Sequence, residues 1–357
     1  MATLDTTARF FDGSGTSSAA ITGPGNRTTT YAELDLLERA RPQLVLDLAA
    51  DMKLMPMNKA DNVTFRRAVN AIVSTTQATE GLTPDSRALA YEDVVGTLGE
   101  YAEVFEITAR MDELGEDKAV RDSADILADL VANTKEAVAW AAYIVGTNAV
   151  FAGAASQRSE VAAPLGLGDL QTATRSLMAA KAQRFTTVSN GGLNENTYPI
   201  EAAFYAFCHT DLQPNVRNIA GFRTCAEYGG KSIVSEYEFG AVENVRFICT
   251  PQLTPVINAG GAIAGLNLKS TGGTLADVYA VIVCGKHALG SVDLKGTGAK
   301  GFGGAKLNVL TGADKADPTN ARSYVAVRWY DLKLILNNEW CTRIESACTD
   351  DLSILNP

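Results

Sequence analysis

The spacing of apolar positions changes period along the chain. Over 62–73 the odd positions Val63, Phe65, Val69 and Val73 are apolar and the even ones mostly polar or small, an alternation that predicts a β-strand. A polar, turn-rich stretch follows, TTQATEGLTPDSR (75–87), and then a second strand-like run, ALAYEDVVGTLGEYAEVFEITA (88–109). Together they predict a long two-stranded ribbon with a polar tip. A ribbon of this kind is marginal alone in water and leaves edges unpaired, so it should lie against another domain or another subunit.

From 117 to 150 the period becomes helical. Val120, Ala124, Leu127, Val131, Thr134, Val138, Ala141 and Val145 step at three and four, and Ile126, Leu130, Ala137, Trp140 and Ile144 form a second stripe beside them. The spacing predicts one amphipathic helix of roughly 50 Å, a length that suits an elongated architecture. A shorter helix is predicted over 168–185, with Leu170, Ala173, Leu177 and Ala180 on one face and Gly191-Gly192 as a stop. Earlier, 1–29 reads as an arm rich in turn formers. Thr30-x-x-Glu33 then makes a capping box that opens a helix carrying Leu34, Leu37, Leu44 and Leu48, interrupted at Pro42.

The second half is mixed. EAAFYAFCH (201–209), VENVRFICT (242–250), DVYAVIVCG (277–285) and SYVAVRWYDLKLIL (323–336) read as strands between glycine-rich loops at 255–274 and 295–304. An amphipathic piece, NNEWCTRIESAC (337–348), closes the chain, and no fixed-period repeat is present.

Composition narrows the function classes. The chain has 357 residues, 46% hydrophobic and 20% charged, with 41 acidic against 31 basic side chains and a net charge of −10. That describes a folded chain long enough for two or three packed units. It lacks the basic surplus that phosphate recognition needs. There is no run of about 18 apolar residues to span a membrane, and the polar N-terminus has no signal-peptide pattern. His209 and His287 are the only histidines, which leaves little material for acid–base or metal chemistry near neutrality.

The six cysteines, Cys208, Cys225, Cys249, Cys284, Cys341 and Cys348, contain no CxxC and no finger-like spacing. They read as free, buried thiols. Cys208 beside His209 sits in a strand, where neighbours point to opposite faces, so the adjacency argues against a catalytic pair. Gly296-x-Gly298-x-x-Gly301 matches a dinucleotide-binding string, yet no helical period follows it, so it reads as a loop. Trp140, Trp329 and Trp340 read as core or interface anchors. No catalytic, cofactor-binding or metal-binding constellation stands out, and the chain reads as a structural protein rather than an enzyme.

The order of elements and several strings resemble the major capsid proteins of tailed bacteriophages, with their Hong Kong 97-type fold, and within them the subfamily typified by the coat protein of coliphage N-four. The strings are KLMPMNKADNVTFRR (53–67), TEGLTPDSRALAYEDVVGTLGEYAEVFEIT (79–108), FYAFCHTDLQPNVRNI (204–219), VENVRFI (242–248) and VYAVIVCGKHALGSVDL (278–294). The last match runs from Asp317-Pro318 through ARSYVAVRWYDLKLILNNEWCTRIES to 346. None is a catalytic signature. Their number, order and spacing carry the likeness, which is weakest over the first ~25 residues and around 255–274.

The resemblance implies an α+β fold in five parts. These are an N-terminal arm and first helix (1–48), an E-loop β-ribbon (49–110), and a peripheral domain with a long spine helix (111–165). An axial domain (166–310) and closing strands of the peripheral domain (311–357) complete it. It implies self-assembly into hexamers and pentamers that form an icosahedral head shell around double-stranded DNA, in a virion built in the bacterial cytoplasm. A non-viral nanocompartment shell of the same fold is the alternative. Phe65, Arg67, Tyr91 and Tyr101, placed on the ribbon, are expected to touch a neighbouring subunit. With only about 30 residues before the first helix, a separate scaffolding protein is expected. A portal protein is a further partner, a cement protein is left open, and no cofactor is implied. Lysine–asparagine cross-links occur in one branch of this fold, but nothing singles out such a pair for Lys53 or Lys59. The −10 charge then suits an inner wall that does not grip DNA.

Overall fold

A computed structural model gives the fold. It describes residues 45–350 apart from 74, 76, 78–79, 82, 84–85, 115–118, 191–195, 229–232, 264, 296–304, 311 and 313–316. The expected arm, the Thr30–Glu33 capping box, the helix broken at Pro42, the Gly191-Gly192 stop and the Gly296–Gly301 string lie outside the described residues.

In chain order the strands are β1 (Ala50–Met55), β2 (Asn62–Ala68), β3 (Tyr91–Thr97), β4 (Gly99–Thr108), β5 (Ala149–Phe151), β6 (Phe185–Asn190), β7 (Asn196–His209), β8 (Phe222–Thr224), β9 (Glu238–Val242), β10 (Val245–Thr250), β11 (Val278–Cys284), β12 (Leu289–Leu294), β13 (Lys306–Leu310), β14 (Arg322–Ile335) and β15 (Cys341–Ala347). The helices are α1 (Ala109–Leu114), α2 (Ala119–Tyr143), α3 (Leu167–Ala179) and α4 (Gln213–Arg217).

The strands form two sheets and a free ribbon. A five-stranded sheet runs β1-β12-β14-β13, with β4 also on β14. An eight-stranded sheet runs β5-β15-β11-β7-β10-β9-β8, with β6 on β7. The ribbon is β2 with β3. Burial explains the strand order. Every residue of β11 is buried, as its unbroken apolar run VYAVIVC requires of a central strand. In β14 the odd positions from Ser323 to Lys333 are buried and the even ones more open, the signature of a strand covered on one face.

α2 covers that face. Its Leu127 and Val131 pack with Val325, Val327 and Trp329 of β14, while Ala139, Trp140 and Tyr143 join a second cluster with Phe207, Ile248 and Ile282 of the eight-stranded sheet. One rod of roughly 37 Å therefore braces both sheets.

The helix ends at Tyr143, short of the expected 150. The Arg343 guanidinium donates to the carbonyls of Ile144 and Gly146, capping the terminus and favouring its negative end. Chain then turns into β5. Ile126, Ala137, Ala141 and Val145 are consequently exposed, so the buried stripe is narrower than the two predicted.

α3 ends at Ala179, short of 185, because Phe185 opens β6. The closing piece 337–348 is a turn followed by β15. The sheets also cross the expected boundary at 310/311: β12 belongs with β14, whereas β15 inserts between β5 and β11. Six of the seven residues of β15 are buried, as a strand flanked on both sides requires. All three tryptophans are anchored. Trp329 lies in the five-stranded core, and the indole N–H groups of Trp140 and Trp340 donate to the carbonyls of Thr254 and Ala180.

Leu127 is fully buried and Ile126 beside it is exposed. Leu127→Ala should lower the unfolding free energy of the chain by about 3 kcal/mol, and Ile126→Ala by less than about 0.5 kcal/mol. Urea unfolding of both variants checks the facing of α2.

Candidate functional site

Among the described residues the ribbon is largely exposed on both faces. Its register sets Phe65 opposite Val94, Arg66 opposite Asp93, Arg67 opposite Glu92 and Ala68 opposite Tyr91. Two cross-strand ion pairs result, one on each face. Arg66 grips Asp93 with two bonds of 2.7 and 2.8 Å, and Arg67 donates twice to one oxygen of Glu92, at 2.9 and 2.6 Å. The Arg66 guanidinium holds the Asp93 carboxyl below its usual range. Such exposed pairs add little stability, but they specify register: a one-residue slip separates both pairs and turns Phe65 to the other face.

Apolar side chains gather towards the tip. Ile72, Val73 and Leu89 are 85%, 84% and 80% exposed, and Val69, Tyr91 and Val95 are also open. Branched aliphatic residues left in water at this density mark an interaction surface.

The structure places the four expected contact residues differently from one another. Phe65 is half-buried on the face of the ribbon that carries Val94. Arg67 is held by Glu92, and Tyr91 is exposed beneath the Arg66 guanidinium, 5.8 Å from its ring centre. Tyr101 is not on the ribbon. It belongs to β4, where its ring stacks on Trp329 at 5.6 Å, because the chain leaves the ribbon at Leu98 and joins the five-stranded sheet.

The root of the ribbon is fixed from two sides. On one side Gly96 lies so close to Leu332 of β14 that a Cβ there would sit 2.8 Å from a leucine methyl. On the other, the chain enters β1 through a buried polar cluster that sequence reasoning missed. Glu136 of α2 accepts from the amides of Val45 and Leu46, both at 3.1 Å. Lys333 of β14 donates to Asp47 at 2.6 Å and to the Ser291 hydroxyl at 2.7 Å, and lies 3.7 Å from Asp331. Lys135 pairs with Asp293 at 2.9 Å. The signal was available: Asp331 and Lys333 occupy inward positions of β14, in phase with Val325, Val327 and Trp329.

Burial shapes the titration of this cluster. It pushes the Glu136 carboxyl up to about 7, against the two amides that pull it down. It pushes Asp331 up to about 6, against the ammonium groups of Lys333 and Lys135. Burial also pulls Lys333 down, but Asp47 and Asp331 more than reverse this.

Among the described residues near this root the polar groups are paired with one another rather than gathered around a cavity. An open apolar depression of about 580 Å³ lies at the end of α2, lined in part by Val145, Thr147, Ile335 and Lys333, and the Lys333 amine is turned inward to Asp47. The two histidines are far apart in use: His209 Nδ1 accepts from the Asp211 amide, and His287 Nδ1 lies 2.6 Å from Asp51. Cys208, next to His209, points its thiol to the Ile248 carbonyl. Among the described residues no group of three or more His, Cys, Asp or Glu is arranged to hold a metal, and no helix is long and apolar enough to cross a membrane.

No protein-family model matches the sequence, and no curated protein matches it. Solved structures do. The chain is similar to the capsid of Ralstonia phage GP4, with a TM-score of 0.65 and 13% identity over 96% of this chain and 100% of that one. It is similar to the capsid asymmetric unit of cyanophage Pam1, at 0.59 and 11%, over 95% and 100%. A third likeness is to the capsid of a native GTA particle, at 0.55 and 10%, over 93% and 99%. These likenesses show the fold, an α+β architecture of the Hong Kong 97 type.

The Glu136 titration has a definite sign. Its folded value near 7 exceeds the ordinary 4.5, so between those values the folded chain keeps a proton that the unfolded chain has lost. Stability therefore falls as pH rises through that window. Glu136→Gln retains an acceptor for Val45 and Leu46 and cannot ionise. It should be more stable than the parent at pH 8 by on the order of 2 kcal/mol, with the gap closing towards pH 4.5. Urea midpoints of both proteins across pH 4.5–8 test this, and parallel profiles would contradict it.

Proposed function

We propose that this chain is a major capsid protein, the coat subunit of an icosahedral bacteriophage head. The observation that carries the reading is the ribbon: a two-stranded element with a specified register, a fixed root and an aliphatic end that is left exposed among the described residues. The end-to-end likeness to capsid subunits supports it. Hundreds of weak, repeated contacts of this kind close a shell without trapping errors, because each is modest and the total is large.

On this reading copies join as hexamers and pentamers, and each ribbon braces an adjacent subunit. Phe65, Arg67 and Tyr91 meet the neighbour directly, and Tyr101 acts from below by packing the ribbon's exit strand on Trp329. The resemblance of several strings to the coat protein of coliphage N-four favours that finer placement. The shell encloses double-stranded DNA without sequence-specific binding, which the −10 charge favours. A separate scaffolding protein and a portal complete assembly in the host cytoplasm, and no catalytic step is assigned to the chain.

Negative-stain electron microscopy of the purified protein tests the reading: closed shells or tubes are expected, and small uniform particles under all conditions would contradict it. Replacing Ile72, Val73 and Leu89 together by serine tests the bracing. Subunits should still fold, while their shells come apart at lower temperature than the parent's. Unchanged shell thermostability would remove the ribbon from the account.

A further inference from the structure

Cys284 ends β11 and Cys341 opens β15, and the register sets them directly opposite each other. The next pair along, Gly285 with Trp340, is joined by a 2.9 Å bond from the Gly285 amide to the Trp340 carbonyl. Hydrogen-bonded and non-hydrogen-bonded pairs alternate along an antiparallel ladder, so Cys284 and Cys341 form a non-hydrogen-bonded pair. Pairs of that kind bring Cα atoms to about 4.5 Å and their side chains closest, within the span a disulfide bridges. The two side chains lie on the same face, in one apolar cluster with Ile282 and Tyr205.

Both are free thiols and both are buried. Burial pushes the Cys341 thiol up to about 12 and Cys284 well above its ordinary value, so in the closed sheet neither is a nucleophile. The pair nevertheless stands at the end of the β11–β15 ladder, where local fraying opens strands most readily. The Cys284 thiol now points to the Tyr205 carbonyl, 3.7 Å away, and a χ1 rotation turns it towards Cys341.

Cys208 and Cys249 give a contrast. They are also register partners, but on parallel strands, where bonds are evenly spaced and no close pair arises. Their thiols donate to the carbonyls of Ile248 and Tyr237.

We propose that Cys284 and Cys341 are a latent disulfide site that staples β15 into the eight-stranded sheet when a small oxidised thiol, of the glutathione disulfide class, reaches the frayed ladder end. In the first step one cysteine thiolate attacks the oxidant's disulfide, forms a mixed disulfide and releases one thiol. In the second, the other thiolate attacks the mixed disulfide, forms the Cys284–Cys341 bond and releases a second thiol. Two electrons pass to the oxidant, and the two cysteine protons end on the released thiols. The bond joins strands far apart in sequence, the arrangement in which a crosslink restricts the unfolded chain most. Once the ladder closes, burial keeps reductants from it.

The test uses the full-length chain held with glutathione disulfide at pH 8 in urea below its unfolding transition. Alkylation, digestion and mass spectrometry without reductant then map the links. A Cys284–Cys341 peptide is expected as the main product, with a thermal midpoint about 5 °C above the reduced protein. Cys341→Ala and Cys341→Ser should each abolish link and shift together, the alanine variant serving if serine prevents folding. Free Cys284 and Cys341 alongside modified Cys225 and Cys249 would overturn the proposal, as would Cys208–Cys249 as the main link.

Discussion

A lysine inside a protein is tolerable only if its charge is matched where it lies. Lys333 is such a residue: its side chain is 1% exposed, and its ammonium depends on Asp47 from the entry to β1, Ser291 from β12 and Asp331 from β14. Removing one partner from a buried pair typically costs about 3–5 kcal/mol, because the other charge is left uncompensated. The cluster therefore does more than stabilise. It requires the entry segment and the second and third strands of the five-stranded sheet to meet at one point, and Glu136 brings α2 to the same place by holding the amides of Val45 and Leu46. The path of the chain into the ribbon is set there.

That constraint gives the ribbon its meaning. An element with a loose root could fold back and bury its own aliphatic tip. This one leaves from β1 and returns through Gly96, packed on Leu332, into β4, which is stitched to β14 along its whole length. Ile72, Val73 and Leu89 are consequently held out in water by a structure that cannot yield cheaply. The long helix plays the matching part for the body, since it packs on both sheets and ties them together. A fixed body with an outreaching ribbon suits the proposed assembly by repeated contact.

Much of this was legible in the sequence. The apolar run of β11, the odd-position burial of β14 and the helical period of α2 each follow from residue spacing, because one burial environment persists along each element. What stayed hidden depended on partners distant in sequence. Leu98 divides a continuous strand-like run into β3 and β4, and only the pairing of β4 with β14 takes Tyr101 off the ribbon. The helix stops at Tyr143 because Arg343, some 200 residues later, caps it. β15 reads as amphipathic, yet it is central because two strands flank it. The charged residues at the ribbon's root were visible as inward positions of β14, but their matching by Asp47 and Glu136 was not, since no local pattern joins them.

The central claim is that the ribbon is completed by another copy of the chain. Hydrogen exchange followed by mass spectrometry, on free subunits and on assembled particles, addresses it most directly. The account predicts that peptides covering 62–73 and 88–97 exchange rapidly in the free subunit and become strongly protected on assembly, while peptides of β11 are protected in both. Ribbon peptides that exchange equally fast in both states would contradict it.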